Sequence, residues 1–66
     1  MFMLAIISKD TYQVYNYADT LAEAIAELEN NMDCADYSGE LEICAVNAWV
    51  HSLGFTCWYI LEKQAF

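Results

Sequence analysis

TLAEAIAELENNM (Thr20–Met32) is the stretch on which the fold turns. Thr20 and Glu23 stand three apart, the spacing of a capping box. The hydroxyl accepts from the Glu23 amide while the Glu23 carboxylate reaches back to the chain before the helix. Asp19 adds negative charge at the positive end of the helix dipole. Leu21, Ile25, Leu28 and Met32 follow at spacings of 4, 3 and 4, one apolar stripe on a helix. Glu23, Glu27 and Asn30 fall on the opposite side, toward solvent. Asn30 and Asn31 have poor interior propensity, so the helix should fade there.

The segments on either side read as strands. Met1–Ser8 (MFMLAIIS) is a continuous apolar run closed by Lys9-Asp10, the pattern of a central strand covered on both faces. Thr11–Tyr17 (TYQVYNY) is its hairpin partner, rich in β-branched and aromatic residues. Strict alternation puts Tyr12 and Val14 on one face and Gln13, Tyr15 and Tyr17 on the other. After the helix, Asp33–Gly39 reads as a polar loop hinged at Gly39. Glu40–Val50 opens with alternation, Leu41 and Ile43 inward and Glu40 and Glu42 outward, and reads as a strand. A short helix over Ala45–Leu53 capped by Gly54 is the competing reading. Phe55–Glu62 reads as the last strand. The expected architecture is one α+β domain over residues 1–66 in β-β-α-β-β order, a small antiparallel sheet with one helix on one face. Tyr15, Tyr17 and one tryptophan are expected on the second sheet face, which would allow a homodimer.

A chain of 66 residues has one small core, yet 59% of its residues are apolar and ten are aromatic. Some of that surface is expected to meet a partner or a second copy. Ten acids face two lysines and no arginine, for a net charge of −8. Lys9 and Lys63 flank the acids, and no basic residue separates Asp10 from Glu62. Nothing here neutralises phosphates, so direct binding to nucleic acid is excluded and a basic protein surface is the complement. Acidity also keeps a sticky domain soluble, which is the simplest use of such a charge.

The residues make little case for catalysis. His51 is the only histidine, in an expected turn, and no spacing around it resembles a thiol enzyme. Cys34, Cys44, His51 and Cys57 match zinc in number but stand 10, 7 and 6 apart, without the tight pairs zinc uses. The cysteines read as free thiols, Cys44 and Cys57 as small buried residues of apolar strands, and neither a metal nor a cofactor is expected. Asp33 and Asp36 followed by Glu40 and Glu42 lack the order of a calcium loop. No apolar run reaches a membrane span and no signal peptide is visible, so a reducing cytoplasm is expected.

What remains is the carboxylate array: Asp10 in the first turn, Asp19, Glu23 and Glu27 along the helix, Asp33 and Asp36 beyond it, then Glu40 and Glu42. Such an array imitates the phosphate ladder of duplex DNA. A tiny acidic, proline-free α+β domain of this kind resembles the small inhibitors bacteriophages use against host machinery. Anti-CRISPR proteins of the DNA-mimic type are the nearest in character. The segment YADTLAEAIAELE (Tyr17–Glu29) is also similar to the strand-to-helix entry of phage inhibitors of bacterial RNA polymerase. The resemblance implies an acidic patch seated in the basic nucleic-acid channel of a host protein such as a CRISPR effector. It also implies the host bacterial cytoplasm as the place of action.

Overall fold

The computed structural model describes residues 1–63. Its elements are β1 (Phe2–Ser8), β2 (Thr11–Ala18), α1 (Leu21–Met32), α2 (Ile43–Ser52) and β3 (Trp58–Glu62). The strands form one antiparallel sheet in the order β2-β1-β3, so β1 is central, as its apolar run predicts. The α+β class holds, but the order is β-β-α-α-β and there are two helices.

The helix α1 forms as the stripe and the capping box require. The Thr20 hydroxyl accepts from the Glu23 amide at 3.2 Å, and the Glu23 carboxylate accepts from the Asp19 amide at 3.3 Å, one residue before the cap. Ile25, Leu28 and Met32 are buried, with Ala24 beside them, and Leu21 is half-buried. Helical structure runs through both asparagines to Met32. The Asn31 side-chain amide folds back one turn and donates to the Glu27 carbonyl at 2.7 Å.

The expected strand over Glu40–Val50 is instead α2, close to the competing reading. Alternation lasts only from Glu40 to Ile43, whereas Val46 and Val50 are one helical turn apart and both fully buried. Leu41, expected inward, is exposed, and Ile43 is half-buried inside the first turn. The helix ends on Gly54 at φ 96°, where the Gly54 amide bonds the His51 carbonyl and the Phe55 amide bonds the Val50 carbonyl. Those two bonds are the Schellman pattern, and the positive φ is the reason for glycine. Gly39 has another reason. A Cβ there would lie 2.5 Å from the Tyr37 hydroxyl, which donates to the Glu40 carbonyl and pins the loop between the helices.

Leu4, Ala24, Ile25, Leu28, Met32, Val46, Val50 and Ile60 form the core, between both helices and one sheet face. The register identifies the faces. Leu4 pairs with Asn16 and Ile60, so these share the helix side with Phe2, Ile6, Gln13, Ala18 and Trp58. Met3 pairs with Tyr17 and Leu61, Ala5 with Val14 and Tyr59, and Ile7 with Tyr12. These eight side chains make up the other face, which the described helices reach only at Tyr59, against the His51 ring.

A bulge in β2 corrects the expected faces of the tyrosines. The register slips between Leu4↔Asn16 and Ala5↔Val14, leaving Tyr15 as the extra residue. One inserted residue inverts parity beyond it. Tyr17 therefore joins Tyr12 and Val14 on the open face. Tyr15 turns to the helix side, where its hydroxyl donates to Asn31 at 2.7 Å and its ring meets Trp58 edge-on.

Candidate functional site

The helix α1 lies back along β2: Asn16 donates to Glu27 at 2.9 Å and Tyr15 to Asn31. Its N-terminus thus sits at the Ala18 end of the hairpin and its C-terminus toward the Asp10 turn. Asp19 and Asp10 are consequently at opposite ends of an eight-residue strand, roughly 26 Å at ~3.3 Å per residue.

Between them α1 carries a ridge of carboxylates along its length, with Glu27 turned toward β2 and Glu29 toward the α1–α2 connection. Asp19, Glu23, Glu27, Glu29 and Asp33 are spread over about 21 Å of axis at 1.5 Å per residue. That is a mean spacing of about 5 Å, wider than the ~3.4 Å of one strand of duplex DNA. The ridge carries on through Asp36, Glu40 and Glu42, all exposed in the α1–α2 connection. Glu29 was absent from the expected set; its carboxylate accepts from the Tyr37 amide at 3.0 Å and ties this connection to the helix.

The expected site residues divide by what their side chains do. Glu27, expected toward solvent, is half-buried, and its carboxylate takes both the Asn16 and the Asn31 amides. It holds the helix to the bulge, and Glu23 likewise serves the cap. The Glu42 carboxylate lies 3.9 Å from the Cys44 thiol. Asp10, Asp19, Asp33, Asp36 and Glu40 are exposed, and no side-chain hydrogen bond within the described residues engages their carboxylates.

The end of α1 is electrostatically costly. The last turn has no basic residue, and Asp33 caps it in the left-handed conformation at φ 50° with Asp36 close behind. Carboxylates at a helix C-terminus oppose the dipole. Beside them, burial first and then the Glu29 carboxylate push the Cys34 thiol above its ordinary range.

Cys44 and Cys57 are exposed rather than buried as expected, because one lies on the outer side of α2 and the other in the turn before β3. Among the described residues no three metal-binding side chains converge, no cavity opens, and no helix is long and apolar enough to cross a membrane.

One polar contact had no sequence signal. The Asn47 side chain on α2 accepts from the Ile60 amide at 2.8 Å and donates to the Ile60 carbonyl at 3.0 Å. His51 Nε2 lies 3.0 Å from the Trp58 carbonyl, and its ring stands edge-on to Tyr59. The outer edge of β3 is thereby satisfied by side chains. No family model matches the chain, and neither a curated protein nor a solved structure is found similar to it.

Proposed function

We propose that the protein is a non-catalytic inhibitor whose carboxylate ridge occupies a basic, nucleic-acid-binding groove on another protein, in the manner of an anti-CRISPR DNA mimic. The observation that carries this reading is the ridge itself, α1 with its acidic continuation, an array of carboxylates uninterrupted by any lysine or arginine. The cost of the acidic helix C-terminus supports it, since solubility alone places no charge at the end of a helix where it destabilises. Long-range attraction speeds encounter with such a groove and weakens as salt screens it. A CRISPR effector and host RNA polymerase both offer surfaces of this kind.

The test neutralises only carboxylates without internal partners: Asp33→Asn, Asp36→Asn and Glu40→Gln together. Tagged wild-type protein is used to capture partners from bacterial lysates, including cells expressing CRISPR effectors, at low and high salt. The expected result is a nucleic-acid enzyme released by salt and by duplex DNA, and bound at least tenfold more weakly by the neutralised variant. Undiminished capture by that variant would rule the ridge out.

A further inference from the structure

The sheet face opposite the helices is apolar and unpaired. It carries Met3, Ala5, Ile7, Tyr12, Val14, Tyr17, Tyr59 and Leu61, with Lys63 as the one charged side chain beside it among the described residues, 5.3 Å over the Tyr17 ring. None of the ten acids is on it. Tyr12 and Tyr17 are about half exposed, at 56% and 49%. Ala5, at the centre of the central strand, is fully buried although it lies outside the core under the helices. Val14 and Tyr59 flank it across the sheet.

We infer that this face is the interface of a homodimer, two copies stacking sheet against sheet about a twofold axis near Ala5. Three observations select a second copy. The first is charge. Two bodies of net charge −8 repel, and this is the side on which they meet without bringing carboxylates together; stacking leaves both ridges facing outward. The second is exposure: Tyr12 and Tyr17, both on this face, remain about half exposed in the single chain. The third is size. Three strands ~4.8 Å apart and about six residues long give a face of roughly 15 by 20 Å, which stands higher in accessible area. Two such faces bury somewhat less than the ~1,000 Å² at which specific interfaces begin, so association is expected to be weak and reversible.

Sedimentation across micromolar concentrations tests this. The wild-type mass should rise from 7.6 kDa to twice that value. Raising salt should tighten the dimer, opposite in sign to its effect on target binding. Tyr12→Lys with Tyr17→Lys should remain monomeric and keep the wild-type circular dichroism. That variant carries less net charge than the wild type, so overall repulsion cannot explain the loss. In a mixed-label sample, intermolecular NOEs should arise from the Met3, Ile7 and Val14 methyl groups. The Asp33→Asn, Asp36→Asn, Glu40→Gln variant should dimerise at least as tightly as wild type, which separates this interface from the ridge. A wild-type monomer at every concentration would overturn the proposal. So would an undisturbed dimer of the lysine variant, or intermolecular contacts from Leu41 and Leu53.

Discussion

The two helices are held to the same sheet in different ways. The helix α1 lies across the sheet, buries Ile25, Leu28 and Met32 against Leu4, and reaches β2 through Glu27 and Asn31. The helix α2 lies along the edge of β3, buries Val46 and Val50, and spends Asn47 and His51 on backbone groups that a fourth strand would otherwise engage. The ends mirror this difference. The helix α1 is closed at its N-terminus by a side chain, whereas Glu42 at the start of α2 caps nothing and Gly54 closes its C-terminus. Apolar stripes place helices, but a polar side chain at one position decides what a helix can replace.

The comparison breaks most easily at Asn47. Asn47→Ala leaves the amide and carbonyl of the buried Ile60 without their side-chain partners, a loss of about 2–6 kcal/mol at ~1–3 per group. Urea unfolding followed by circular dichroism measures it, and Asn47→Asp should recover part by restoring only an acceptor. The two C-termini sharpen the contrast, because Gly54 and Asp33 both sit at positive φ. Gly54→Ala should cost about 1 kcal/mol, since an L side chain is strained there and the space around it is otherwise open. Asp33→Gly should have the opposite sign, a gain of roughly 0.5–1 kcal/mol from relieved strain and from removing an anion at the dipole's negative end. If thermal melts show Asp33→Gly destabilising, the carboxylate has a structural role that its exposure does not suggest.

The sequence was most legible where one local rule decided the outcome. Thr20, Glu23 and the leucine–isoleucine stripe give α1 almost residue by residue, and the apolar run gives the central strand. The α2 segment was harder, because four alternating residues at its start resemble a strand while Val46, Val50 and Gly54 argue for a helix from further along. The bulge at Tyr15 was invisible: TYQVYNY holds no glycine and alternates well, and only pairing with β1 reveals the extra residue. Asn47 was equally silent, since its role exists only once β3 returns beside it. For the carboxylates, sequence gave their number but not their employment. Glu27 reads as solvent-facing until the bulge presents Asn16 to it.

The bulge has one more consequence. A three-stranded sheet has two rims, and each is an invitation to add strands without limit. The outer side of β3 is occupied by Asn47 and His51, while the kink at Tyr15 spoils β2 as a straight template. Growth along the hydrogen-bond direction, the route to fibrils, is obstructed on both sides. A chain this rich in apolar residues thus keeps both rims of its sheet poorly suited to adding a strand.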